Sequence, residues 1–314
     1  MDTMMISPLA VLFTTCSICC IFVTSVSVSV PPFPPRDQVE ILLAFKNEFP
    51  SRNCDESIAP VPHHFDSFSF HAIWQTLQLG IQNLTLLSYI DLSQNDFSGT
   101  IPSFLFPMKL EISKNRLVGK VPSLHYNSLL SELDLSSNAF HGSFPVIPPT
   151  TIYASNNHFT GDIPLSLCNA SGLGRLYLSN NNFSGSIPRC LMSKSLGTLK
   201  LHNNNLTGTL PYVEESGLQI LDVGHNQISG KLPRSLVNCT RLMFLNVENN
   251  RIADTFPFWL KALPDLQIIV LRSNRFHGTL VSSPKSNHPF PALPIVDISH
   301  NDFHGSLPTD YFAN

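Results

Sequence analysis

The chain has 314 residues, with 19 Lys and Arg against 22 Asp and Glu and a net charge of −3. Charged residues are only 13%, about half the ~25% of an ordinary soluble domain, which leaves no basic stripe for nucleic acid and too few Glu and Lys for a coiled coil. The 43% hydrophobic content excludes a disordered chain, and Leu (42), Asn (25) and Pro (25) are the abundant residues.

After Asp2 no charge appears before Arg36. Pro8 to Val30 is largely apolar, and residues 1–30 read as a secretory signal peptide, with Ser25, Ser27 and Ser29 as small residues for cleavage. An uncleaved anchor is the alternative, because 23 charge-free residues are long enough to span a bilayer. Cys16, Cys19 and Cys20 would leave with the signal, and Cys54, Cys168, Cys190 and Cys239 would enter an oxidising compartment. His63, His64, Asp66 and His71 have metal-ligand chemistry but no framework to fix their geometry, so no metal site is read there.

Residues 79–314 repeat. LGRLYLSNNNFSGSIP (173–188), LGTLKLHNNNLTGTLP (196–211) and LQILDVGHNQISGKLP (218–233) share the frame LxxLxLxxNxLxGxLP. Ten copies are placed by Asn95, Asn115, Asn138, Asn157, Asn181, Asn204, Asn226, Asn250, Asn274 and Asn301, on average about 23 residues apart, within the ~20–29 residue period of leucine-rich repeats. A glycine follows four residues after the asparagine in nine copies, Asp254 being the exception, and a proline seven residues after it in nine, Val281 being the exception.

Each position has a physical reason. Leucines two apart share one strand face, and coil upon coil they line a core that one repeat could not bury alone. An amide donates and accepts, so stacked asparagines can satisfy backbone groups left open where the chain turns. The pattern predicts an α/β leucine-rich-repeat solenoid, a curved right-handed superhelix. Its parallel sheet lines the concave face, and short helices or turns form the convex face.

Cys168 and Cys190, 22 residues apart on the outer sides of adjacent coils, are candidates for a disulfide, and two buried thiols are the alternative. N-x-S/T sequons at Asn83, Asn169, Asn182, Asn205 and Asn238 are candidate glycosylation sites in the secretory pathway. Ligand contacts are expected from outward strand positions: Tyr153, Tyr177, Lys200, His202, Asp222, His225, Asn246, Glu248, Arg272, Asp297 and His300. His300 with His304 has helical spacing but falls in a strand and turn of the frame. No nucleophile elbow, phosphate loop or kinase signature is present, so no enzyme activity and no cofactor are expected.

The frame with IP or LP after the glycine resembles the plant-type extracellular leucine-rich repeat. RDQVEILLAFKNEFP (36–50) is similar to the helix that opens plant receptor-like proteins. SLCNASGLGRLYLSNNNFSGSIPRCL (166–191), LVNCTRLMFLNVENNRIADTFPFWL (236–260) and LRSNRFHGTL (271–280) resemble their disease-resistance type, and DISHNDFHGSLPTDYFAN (297–314) resembles the repeat that precedes their non-repeat island. The resemblance implies an amphipathic helix over 36–49 within an incomplete amino-terminal cap, 31–78. It also implies a sequence that stops before the family's island and transmembrane helix. By that likeness the chain recognises a peptide, protein or elicitor at the cell surface in plant defence or development, with a receptor kinase as co-receptor. A soluble inhibitor of pathogen cell-wall-degrading enzymes, secreted to the extracellular space, is one alternative. A degenerate receptor fragment without independent activity is another.

Overall fold

The computed structural model describes residues 13–16, 20–23, 89–101, 109–123, 130–145, 149–170, 172–192, 196–280 and 293–306. The helix expected over 36–49, Cys54, His63, His64, Asp66, His71 and the Asn83 sequon lie outside them, as does most of the 1–30 signal segment. Within that segment the strands Phe13–Cys16 and Cys20–Val23 pair antiparallel.

The chain divides into two compact units, Met1–His141 and Gly142–Asn314. In the first, the leucine frame folds as three short parallel strands, Tyr89–Asp91, Lys109–Glu111 and Glu132–Asp134. Ile90, Leu110 and Leu133 align across them and are buried, while the flanking residues are half-exposed. The alternation follows from the strand itself, whose successive side chains point to opposite faces.

Among the described residues the second unit holds seven such strands: Thr151–Tyr153, Arg175–Tyr177, Thr198–Lys200, Ile220–Asp222, Phe244–Asn246, Ile268–Val270 and Ile295–Asp297. All pair parallel, with Ile152, Leu176, Leu199, Leu221, Leu245, Ile269 and Val296 in one line. Two residues on, Leu178, Leu201, Val223, Val247 and Leu271 are fully buried. Each contributes about 1.5–3 kcal/mol of burial, too little per coil to hold one repeat folded but enough when neighbours stack.

The chain then turns, and the asparagines close the turn. Asn181 accepts from the Phe159 N–H of the preceding coil (3.1 Å) and donates to Ala154 O (3.0 Å) and to its own coil's Leu178 O (3.1 Å). Asn204 repeats this with Phe183, Leu178 and Leu201, and Asn226 with Leu206, Leu201 and Val223. Asn250, Asn274 and Asn301 continue the pattern. In the first unit Asn115 and Asn138 do the same. The residue before each asparagine, from Gln94 to His300, has positive φ in all ten coils, as have the nine frame glycines. At Gly185 (φ +70°) an added Cβ would also strike the Asp162 carboxylate. Beyond the asparagine come short second strands, such as His158–Asp162 paired with Asn182–Ser184. They were not expected from the frame.

The outer side is built by the prolines. Leu167, Leu191, Leu236 and Leu260 donate their N–H groups to the carbonyls of Pro164, Pro188, Pro233 and Pro257, opening 3-10 turns at Leu165–Asn169, Arg189–Met192, Arg234–Asn238 and Phe258–Ala262. Repeat length sets the turn. Asparagines 24 residues apart enclose five-residue turns, and the 22-residue interval Asn204–Asn226 encloses none. Among the described residues no α-helix occurs.

Candidate ligand-recognition face

Because the strand centres face inward, the residues at their ends project from the sheet. In the second unit the register aligns Tyr153, Tyr177, Lys200, Asp222, Asn246, Val270 and Asp297. Tyr153 and Tyr177 stack with centroids 4.7 Å apart, and Lys200 Nζ lies 5.6 Å from the Tyr177 ring. This is an aromatic platform ending in a cation, with the ammonium held by the ring's quadrupole.

The row then becomes acidic and polar, and here several side chains also serve their own backbone. Asp222 accepts from Gly224 N–H (3.2 Å), and Asn246 from Glu248 N–H (2.9 Å) while its amide donates to the Glu248 carboxylate (3.2 Å). Asn246 is only 5% exposed. Asp297 accepts from Ser299 N–H and Oγ (3.0 and 2.7 Å), and these bonds hold its carboxyl below the usual carboxylate range, with Arg272 and His300 contributing further.

Two residues further along, His202, Glu248 and Arg272 occupy the positions that hold Ser155, Ser179, Gly224 and Ser299 in other coils. His202 and His225 have ring centroids 4.7 Å apart. His202 Nδ1 is 3.5 Å from Asp222 Oδ1, and His225 Nε2 is 3.8 Å from Glu248 Oε1. The structure thus brings together Tyr153, Tyr177 and Lys200 as one group and His202, Asp222, His225, Asn246 and Glu248 as another. Arg272, Asp297 and His300 lie on the following coils. Outside these rows runs a second, exposed ladder, in which Asn180 donates to Asn156 (2.8 Å) and Asn203 to Asn180 (2.9 Å). The doublets Asn156–Asn157, Asn180–Asn181 and Asn203–Asn204 are its signal in the sequence.

The first unit carries a cluster that the sequence reading passed over. Lys109 Nζ lies 2.9 Å from Glu111, 3.3 Å from Glu132 and 5.2 Å from the Tyr89 ring centroid. Burial, then the Glu111 charge, push the Tyr89 phenol up to about 12, and the hydrogen bond to Glu111 raises the Lys109 ammonium. YID, KLE and ELD place outward residues at the first as well as the third strand position, whereas the expected contacts start at the third.

Cys168 and Cys190 form a disulfide, Cα–Cα 5.4 Å, joining the 3-10 turns of adjacent coils. Cys239 is a buried free thiol whose pKa burial raises. Among the sequons, Asn169, Asn182 and Asn205 are exposed. Asn238 differs, because its amide nitrogen donates to Val213 O and Glu214 O, both at 2.9 Å.

The leucine rich repeat family profiles match residues 86–108, 148–170, 172–193 and 194–252. Receptor-like protein 54 of Arabidopsis thaliana is 40% identical over 264 residues, which is 74% of this chain and 31% of that protein. The chain therefore spans about a third of that relative's length. Among solved structures, the plant peptide hormone receptor RGFR1 in complex with RGF2 is similar, with TM-score 0.61 and 27% identity over 73% of this chain and 42% of that one. So is the Arabidopsis receptor kinase HAESA in complex with the peptide hormone IDA and the co-receptor SERK1, with TM-score 0.60 and 25% identity over 73% and 44%. Repeat frame, stacked asparagines and the matching family profiles together make the chain a leucine-rich-repeat protein, similar over about three quarters of its length to the plant receptor-like proteins.

Proposed function

We propose that the chain is an extracellular recognition module that binds a peptide or protein ligand on the outward, concave side of its sheet and performs no chemistry. The register row of the second unit is the observation that carries this reading. It offers one side chain per coil, spaced by roughly 4.8 Å, running from stacked tyrosines through Lys200 to acidic Asp222. An extended peptide advances about 3.3 Å per residue, so two coils would span about three of its residues. Rigid tyrosines supply contact area at little entropy cost, and charges supply specificity. Receptor-like relatives and peptide-bound structural neighbours support the ligand class. A receptor kinase co-receptor is the partner expected by kinship with those proteins, at the cell surface or in the extracellular space.

The test is selection of a random peptide library on the secreted protein, followed by titration of selected peptides against variants. Tyr177→Ala and Lys200→Ala should each weaken binding about tenfold or more, as loss of an anchor does, while Arg234→Ala on the outer turn should not. Peptides indifferent to the sheet-face variants but lost on outer-turn variants would overturn the reading.

A further inference from the structure

We propose that His202, His225 and Glu248 form a site for a divalent transition-metal ion. Three consecutive coils each contribute one ligand. One donor atom from each side chain lies within 4.8 Å of the others. Two imidazoles and a carboxylate are a donor set that binds Zn²⁺ while leaving a coordination position open to water or to a donor from a ligand. Tetrahedral Zn²⁺ with bonds of about 2.0–2.2 Å needs donors about 3.4 Å apart. His225 Nε2 and Glu248 Oε1, at 3.8 Å, are already near that distance. The His225 side chain is 45% exposed, which leaves it room to turn towards the other two donors on giving up its bond to Asn249.

Three independent features favour a ligand at this point. His202 Nδ1 is buried and has no hydrogen-bond partner. His225 Nε2 accepts from the Asn249 amide at 2.9 Å, so this nitrogen presents a lone pair that a metal would take in place of that bond. Gly224 lies between His202 and Glu248 in the same row, and the absence of its side chain is what lets them converge. A Cβ there would lie 2.9 Å from His202 Nδ1 and 3.1 Å from Glu248 Cγ. A surrounding shell is also present. Asn246 donates to the Glu248 carboxylate at 3.2 Å, and Asp222 stands 3.5 Å from His202 Nδ1, adding negative charge beside the imidazoles. The site rests on these residues alone and does not depend on peptide recognition.

The probe is Zn²⁺ itself, titrated into the full chain, purified without a histidine tag, in competition with a chromogenic chelator. The wild type should take up an equivalent of Zn²⁺ that His225→Ala and Glu248→Gln each weaken at least about tenfold. Gly224→Ala should weaken it too, although it removes no ligand and its φ is ordinary. His158→Ala, exposed and outside the cluster, should leave it unchanged. His225→Ala and Glu248→Gln should melt like the wild type in chelator, which separates loss of metal from loss of fold; if His202→Ala or Gly224→Ala fails to fold, the exposed His225 carries the test. No uptake by the wild type, or uptake equal in His225→Ala and Glu248→Gln, would overturn the site.

Discussion

Asn181 shows what one amide does in this fold. It is 8% exposed, accepts from one backbone N–H of the preceding coil and donates to one carbonyl of that coil and one of its own. Asn181→Ala would take that acceptor from the buried Phe159 N–H, while Ala154 O and Leu178 O keep the amides of Asn157 and Asn204, so a loss of about 1–3 kcal/mol is expected in urea unfolding. Asn182→Ala, one residue on and exposed, should be nearly neutral. The same reasoning ranks the sequons. Glycopeptide mass spectrometry of plant-expressed protein should find glycan at Asn169, Asn182 and Asn205 and none at Asn238, whose amide nitrogen is engaged twice. Tyr89 gives a pH signature. Its folded pKa of about 12 lies above the ordinary 10, so the neutral phenol is favoured by the fold. That stabilisation is fully present below pH 10 and is lost as pH rises towards 12. A spectrophotometric titration should show one late tyrosine that disappears in Tyr89→Phe.

At the scale of the element, the disulfide between Leu165–Asn169 and Arg189–Met192 ties two short 3-10 turns that have only about four or five residues each. Closing a 22-residue loop is worth about 3 kcal/mol, so Cys168→Ser with Cys190→Ser should lower the urea midpoint, and a thiol reductant should lower the wild type to match. Much of this was legible in the sequence. Leucines two apart specify a strand face, and an asparagine recurring at the turn specifies a ladder, because both follow from local periodicity. The second strands were not legible, because segments as short as Ser98–Gly99 and Ser229–Gly230 carry no alternation to read. The site was legible as a row but not as groups. That His202 and Glu248 converge depends on Gly224 between them, and that Asn246 is buried depends on its bonds to Glu248.

At the scale of the molecule, the low charge and the abundance of Leu, Asn and Pro are three views of one repeat. Leucines fill the core, one set of asparagines closes the coils and another covers their exposed edge, and prolines open the outer turns. What is left to vary is the outward rows of the sheet, and there the second unit gathers its tyrosines, Lys200 and the histidine cluster. Among the described residues no helix is long and apolar enough to cross a membrane. The central claim, that the sheet face is where a ligand binds, is tested most directly by hydroxyl-radical footprinting of the protein with and without a selected peptide. Tyr153 and Tyr177 on the face should become protected, while Tyr212, 58% exposed just beyond the frame proline Pro211, should stay reactive. Protection of Tyr212 with Tyr153 and Tyr177 unchanged would contradict the account.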